Sequence, residues 1–137
     1  MKLIGQYDSP FVRRVAVALL IYEIVYDHVP WSTFGDGDLV ARHNPLKRVP
    51  ALVLDDGEVL IESGAILDYL DERVGPDRAL LPLSGAARRA ALRRIALMTG
   101  AAGSLLLLRE TLFRGACSRL CIPLRRADPH SAGSNRS

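Results

Sequence analysis

The chain has 137 residues, of which 49% are hydrophobic and 24% charged, with a formal net charge of +3. This composition is too apolar for a disordered chain. The length fits one ordinary domain, or one small domain plus a fragment, which excludes a large multidomain enzyme. Residues 1–84 carry 8 basic and 13 acidic side chains, whereas residues 85–114 carry 6 basic and 1 acidic. Because the positive charge lies in the C-terminal third, we expect no nucleic-acid-binding face in the N-terminal part.

The first elements predicted are a strand, a helix and a second strand. The segment 2–7 is β-prone, and Ser9-Pro10 after it is a strong helix start, because Ser caps free amides and Pro suits the first helical position. The apolar residues of this helix recur at intervals of three and four: Val12, Val15, Ala16, Leu19 and Leu20. Residues 24–30 are β-branched and aromatic and predict the second strand, followed by a loop over 31–45 with room for one helical turn.

A hairpin and a further helix come next. Two apolar runs, 49–54 and 59–61, flank Asp55-Asp56-Gly57-Glu58, which is typical of a tight turn between strands rather than of a metal-binding loop. Glu62-Ser63-Gly64 then opens a helix that stops at Gly75-Pro76.

The C-terminal part is predicted to contain a linker over 80–85, a helix over 86–114 and a disordered tail over 115–137. The apolar stretch 95–108 is shorter than the roughly 20 residues that a bilayer requires, so we expect a packed helix and no membrane contact. No signal peptide is evident, and a cytoplasmic protein is expected. Cys117 and Cys121 lie in the tail without further ligands at useful spacing, which indicates reduced thiols and no metal site.

Three motifs occur in a telling order: Ser9-Pro10-Phe11 after the first strand, the segment Asn44–Pro50 (NPLKRVP) before the third, and the segment Glu62–Ile66 (ESGAI) after the hairpin. With these motifs the chain resembles the glutathione S-transferases of bacterial type. The resemblance implies an α/β fold, a thioredoxin-like βαβαββα domain with a mixed four-stranded sheet over residues 1–79. It also implies that residues 86–114 are the first helix of a truncated, partial all-α domain.

Glutathione, the co-substrate that the resemblance implies, offers two carboxylates, an ammonium, two amides and a thiol. Ser63, together with the free amides of its helix start, suits the γ-glutamyl carboxylate, and Glu62 suits the ammonium. Val49 can pair its backbone with the peptide as an added strand does. Either Arg48 or Lys47 can meet the glycyl carboxylate.

Two more features follow from the resemblance. It implies that the Val49-Pro50 bond is cis, and it adds Pro50 and Phe11 to the glutathione-binding residues. Ser9, at the start of the first helix, is the candidate catalytic residue, because a hydroxyl and the helix dipole there can stabilise a bound thiolate and lower the thiol pKa. Tyr7 is a rival for this role.

Plain structural explanations stand beside each of these roles. A Ser before Pro is often only a helix cap, Glu62-Ser63 can be a capped helix with a solvated acid, and Val49-Pro50 can be ordinary strand geometry. His43 and Asn44 are interpreted as loop residues rather than ligands.

The chain departs from the family in two ways. The usual glycine of the NPxGKVP segment is Lys47, which strains the loop if this position needs a positive φ. Only one helix of the second domain is expected, so its apolar residues are predicted to form an exposed patch: Ile95, Leu97, Met98, Leu105 and Leu108.

The function expected from all this is a glutathione S-transferase-like protein that activates the thiol of glutathione for conjugation to a small electrophile, impaired by truncation, with a homodimer as a possible assembly. Two alternatives stay open. One is a non-catalytic interaction module, as in the starvation-protein-like relatives of the family, and the other is a non-functional fragment.

Overall fold

The structure is a computed structural model that describes residues 1–120, with side chains as far as Leu108 in the last helix. The described residues form four strands and four helices in this order: β1 (Lys2–Ile4), α1 (Pro10–Ile21), β2 (Asp27–Val29), α2 (Gly37–Ala41), β3 (Ala51–Val53), β4 (Val59–Ile61), α3 (Ser63–Val74) and α4 (Gly85–Leu120). The βαβαββα order of the first seven elements is the predicted one. The helical turn allowed for in the loop after β2 is α2.

The four strands form one mixed sheet in the order β2-β1-β3-β4. β1 runs parallel to β2 and antiparallel to β3, and β4 runs antiparallel to β3. The predicted mixed four-stranded sheet is therefore confirmed. β4 has the predicted bounds, and the other three strands are shorter than the runs that predicted them. For β3 the cause is chemical, because Pro50 has no N–H to donate and the ladder begins only at Ala51.

The hydrophobic core joins α1 and α3 to the inward residues of β1 and β3. Its members share near-zero exposure: Leu3, Val12, Val15, Ala16, Ala18, Leu19, Tyr22, Leu52, Leu54, Ile66 and Leu70. The apolar stripe predicted for α1 is confirmed except at Leu20, which is 68% exposed. Leu20 lies at the edge of the stripe, beyond the side of α1 that faces α3.

A buried polar pair ties the segment after α3 to α1. The hydroxyl of Tyr22, the C-cap residue that follows α1, donates to the carboxylate of Asp71 on α3 and accepts from the backbone N–H of Leu80 at 2.8 Å. Arg78 donates to the Tyr22 carbonyl at 3.1 Å. Burial, followed by the hydrogen bond to Asp71, raises the pKa of Tyr22 above its ordinary value. These bonds hold the residues that lead into α4.

The last helix is longer than predicted, and its described side chains are more exposed. α4 continues to Leu120, the last described residue, so residues 115–120, expected in the tail, are helical, because Gly115 weakens a helix without ending it. The rest of the predicted tail lies outside the described residues. The chain divides into two compact units, Met1–Ala102 and Gly103–Ser137, and the boundary falls within α4.

The expectation that the apolar part of α4 is packed is wrong for the described side chains. None of the residues in Gly85–Leu108 is buried, and this stretch alone among the described residues is long and apolar enough to cross a bilayer by length and composition. Arg88 attaches the helix start to α3 through Asp68 at 2.8 Å. The predicted exposed patch is confirmed, with Leu97 and Met98 at 66% and 73% exposure.

Candidate functional site

The candidate site lies where three strand ends meet at one end of the sheet. Ala51 pairs with Ile4 on one side and with Ile61 on the other. Gly5 follows Ile4, Glu62 follows Ile61, and Pro50 precedes Ala51. Gly5, Pro50 and Glu62 therefore lie at the same end of β1, β3 and β4. This register brings two of the three sequence motifs together, since Pro50 ends the first of them and Glu62 begins the second.

Gly5 connects this end of the sheet to the start of α1. A Cβ atom placed on Gly5, whose φ is +129°, would lie 2.6 Å from Cγ2 of Val12 and 2.8 Å from Cβ of Val49. The backbone of Gly5 thus runs in direct contact with both valines. Because Val12 is in the first turn of α1, the Ser9 motif at the start of this helix lies near the same end of the sheet as Val49.

Ser9 is the N-cap of α1, as predicted. Its hydroxyl oxygen accepts from the N–H of Val12 at 3.4 Å, and Pro10 is the first helical residue. Within the part of the chain whose side chains are described, the Ser9 hydroxyl proton has no acceptor. The cap interpretation is therefore correct, and it leaves a donor at the positive end of the helix dipole for a ligand atom. Phe11, the second residue of the helix, is half-buried.

The segment before β3 has the backbone that the sequence suggested. The Val49-Pro50 bond is cis, which confirms that prediction. Lys47 has a φ of +53°, so the position where the family has glycine does require the left-handed region. The strain expected for Lys47 is thus present.

The two cations of this segment differ in their surroundings. Lys47 donates to Asp38 at 2.9 Å, and this hydrogen bond holds the pKa of the Asp38 carboxyl below its ordinary value. Arg48 is exposed and makes no ion pair with any residue whose side chain is described. Of the two candidates for the glycyl carboxylate, Arg48 is the one without a competing anion.

Glu62 and Ser63 open α3 in an unusual conformation. Glu62 has a φ of +66° and occupies the N-cap position without a side-chain bond to the helix, so the interpretation as a side-chain cap does not apply to it. Ser63, the first helical residue, is only 5% exposed, yet its hydroxyl bonds to no other described residue. The amides of this first turn also lack helical acceptors. Because no buried side-chain polar atom of the described residues lacks a partner, the Ser63 oxygen must reach the surface. An accessible hydroxyl and free N–H groups together suit a carboxylate.

Tyr7 faces the other way. Its hydroxyl lies 2.9 Å from that of Tyr26, and its ring stacks on His28 with centroids 3.9 Å apart and an interplanar angle of 7°. His28 is in β2, and Tyr26 is the residue directly before that strand. Both therefore lie on the side of β1 opposite to β3. Burial, followed by the hydrogen bond to Tyr7, raises the pKa of Tyr26 to about 12. Sequence reasoning missed both partners, since nothing in the sequence reveals which residues face each other across a parallel pair.

Asn44 is another residue whose burial and hydrogen bonds the sequence did not reveal. It lies in the loop between α2 and β3, as expected, and it is fully buried and bonded on both ends of its amide. The only available signal was its place before proline in the Asn44–Pro50 segment. Among the described residues, no group of three or more His, Cys, Asp or Glu side chains could hold a metal ion.

Comparison with known proteins places these features in a family. Residues 3–78 match the family described as "Glutathione S-transferase, N-terminal domain". The chain is 41% identical over 105 residues to the maleylacetoacetate isomerase of Pseudomonas aeruginosa, which covers 73% of this chain and 49% of that protein. It is 39% identical over 83 residues to the uncharacterized GST-like protein YibF of Escherichia coli, covering 60% and 40%. The chain thus spans about half the length of these relatives or less.

A solved structure gives the same picture. The glutathione transferase family member from Pseudomonas fluorescens Pf-5, crystallised with bound glutathione, is similar with a TM-score of 0.71 and 35% identity, over 81% of this chain and 56% of that one. A glutathione S-transferase from Methylobacillus flagellatus, also with bound glutathione, has a TM-score of 0.66 and 39% identity, over 72% and 48%. The predicted thioredoxin-like fold is therefore confirmed.

Proposed function

Since the chain belongs to the glutathione S-transferase family, we propose that it binds glutathione where β1, β3 and α3 meet. The observation that carries this proposal is the convergence of three unlike recognition elements at one end of the sheet. They are the hydroxyl at the start of α1, the free backbone beside the cis bond of Val49-Pro50, and the Ser63 hydroxyl and amides at the start of α3.

Each element suits one group of the tripeptide. Ser63 and the first amides of α3 bind the γ-glutamyl carboxylate, while Glu62 accepts from the ammonium. The backbone of Val49 pairs with the cysteinyl residue, in the manner of an added strand. Arg48 binds the glycyl carboxylate with charge-assisted hydrogen bonds, and Lys47 does not, because Asp38 already holds it.

Ser9 acts on the thiol. In this proposal its hydroxyl donates to the sulfur, and the dipole of α1 favours the negative charge, so the thiol of bound glutathione loses its proton more readily. The thiolate then attacks an electrophile, forming a carbon–sulfur bond as the leaving group departs with its electron pair. Tyr7 has no part in this step, because its hydroxyl is engaged with Tyr26 on the β2 side.

Calorimetric titration of the full 137-residue chain with glutathione tests the proposal. We expect saturable heat with one site per chain, weakened by Arg48→Ala and unchanged by Arg42→Ala, an exposed arginine at the end of α2 that serves as the matched control. A chain that unfolds cooperatively on heating but releases no heat at millimolar glutathione would contradict it.

A second candidate is a glutathione-binding interaction module without turnover. The exposed apolar face of α4, with Leu97 and Met98 outward, favours it, because such a face is typical of a surface that another molecule covers. Glutathione binding without conjugation of any of several aromatic and alkyl electrophiles would support this alternative. The electrophile, the homodimer and the cytoplasmic location remain predictions.

A further inference from the structure

Asn44 is buried directly beneath the segment that leads to the cis bond. It has 0% exposure, and its side-chain amide bonds to that segment at two points. Its Nδ2 donates to the carbonyl of Arg48 at 2.9 Å, and its Oδ1 accepts from the N–H of Leu46 at 3.0 Å. One side chain therefore holds two residues of the turn formed by residues 45–48, Leu46 and Arg48.

The backbone of Asn44 is itself anchored. Its N–H donates to the carbonyl of Val40 at 2.8 Å, at the end of α2, and its carbonyl accepts from the N–H of Lys47 at 2.9 Å. On the outer side of the same turn, Lys47 is bound to Asp38. The turn is thus held from inside by Asn44 and from outside by Asp38, and the position between these supports has the left-handed φ of Lys47.

The Asn44 bond to Arg48 is the contact that matters for the site. It holds the carbonyl of the residue proposed to meet the glycyl carboxylate, immediately before Val49. An exposed arginine on an unsupported turn must lose backbone and side-chain freedom when it binds, and a turn fixed in advance avoids the backbone part of that cost.

We propose that Asn44 is a positioning residue that holds Arg48 for the glycyl carboxylate and so sets the preference for glutathione over γ-glutamylcysteine, the dipeptide that lacks glycine. This inference rests on the proposed function. Asn44 does not touch the ligand; it acts through the turn.

The test compares the dissociation constants of the two ligands for the full chain and its variants. In the unmodified chain glutathione binds about tenfold or more tightly than γ-glutamylcysteine, as expected for hydrogen bonds to a charged group. Asn44→Asp keeps the size of the side chain but replaces the donor to the Arg48 carbonyl with an acceptor. It reduces the preference to about twofold. Binding of γ-glutamylcysteine weakens by a smaller factor than binding of glutathione, because the Arg48 carbonyl shares its peptide group with the Val49 N–H. Arg48→Ala reduces the preference to the same extent, and the double variant loses no further preference.

Tyr22→Phe is the matched control, because it removes a buried hydroxyl that bonds to Asp71 and Leu80 in another part of the domain. It lowers stability and leaves the ligand preference intact. Retention of the preference by folded Asn44→Asp, or by Arg48→Ala, overturns the inference. An unmodified chain that binds neither ligand contradicts the proposed function instead.

Hydrogen exchange in the unmodified chain supplies a readout that does not depend on how well a variant folds. Exchange of the Leu46 amide, which donates to Asn44, slows on binding glutathione and not on binding γ-glutamylcysteine. Equal slowing by both ligands overturns the inference, since the turn would then respond to ligand regardless of its glycine.

Discussion

The hydroxyls of Tyr7 and Tyr26 lie 2.9 Å apart on the β2 side of β1, whereas Val49 contacts Gly5 on the β3 side. Tyr7 is only two residues from Ser9 in the chain, yet the two hydroxyls serve different surroundings. The ring of Tyr7 is fixed on His28, and its oxygen is shared with Tyr26. This arrangement favours Ser9 over Tyr7 as the group that activates a bound thiol.

Tyr7→Phe should lower the pKa of Tyr26 from about 12 towards its ordinary value of 10.0 without reaching it, because burial is the larger cause of the shift. A pKa that is higher in the folded than in the unfolded chain contributes stability that is complete below about pH 10 and is lost as pH rises towards 12. In the variant, this contribution to stability should be lost over a narrower pH range. Tyrosinate absorbance measures the pKa, and conjugation rates measured beside it should stay unchanged. A slowed reaction would return Tyr7 to the mechanism.

Ser9→Ala removes both the cap of α1 and the proposed donor to sulfur. Loss of the hydrogen bond from Val12 should cost about 1 kcal/mol of unfolding free energy. Conjugation should slow with little change in glutathione affinity, and the pKa of the bound thiol should rise. Ser9→Gly is the control, because glycine caps helices almost as well as serine but has no hydroxyl. If Ser9→Gly turns over at the original rate, the hydroxyl has no catalytic part.

Gly5→Ala should destabilise the fold by about 1–3 kcal/mol, because a new methyl group would lie 2.6 Å from Val12 and 2.8 Å from Val49 in an already crowded place. Gly57→Ala is the matched control, since Gly57 also has a positive φ, of +92°, but no atom within 4 Å of the added carbon. Urea unfolding of both variants separates backbone strain from the clash. Equal losses would show that the close approach at Gly5 costs nothing.

Lys47→Gly should raise the free energy of unfolding by about 1 kcal/mol, because glycine adopts the left-handed φ of this position without a steric penalty. The exposed ion pair with Asp38 is lost, but such pairs contribute little. Lys47→Ala loses the same pair and keeps the strain, so it should show no gain. Denaturant titration of the two variants decides the matter, and identical midpoints would argue against strain at this residue.

The order of the elements could be predicted from the sequence because each has a strong local signal. Ser9-Pro10 marks the start of α1, and the cluster Asp55–Glu58 marks the hairpin turn. The motif residues Val49-Pro50 and Glu62-Ser63 can also be identified from the sequence, because the resemblance covers that part of the chain. Their meeting at one end of the sheet depends on strand register, which local patterns do not contain.

What could not be predicted depends on distant contacts. The burial of Asn44 follows from how the turn folds over it, and its neighbours in sequence are polar or exposed. The choice between Arg48 and Lys47 rests on Asp38, nine residues before Lys47 and on a different element.

The position of β1 between β2 and β3 has a consequence for synthesis. A ribosome makes β1 first, and β1 can pair with β2 once residue 29 has emerged, but its other edge stays open until residues 51–53 follow. During that interval the nascent chain presents an unpaired inner strand, the kind of edge on which neighbouring nascent chains aggregate. Slow translation of the segment between β2 and β3 should therefore reduce the yield of folded protein.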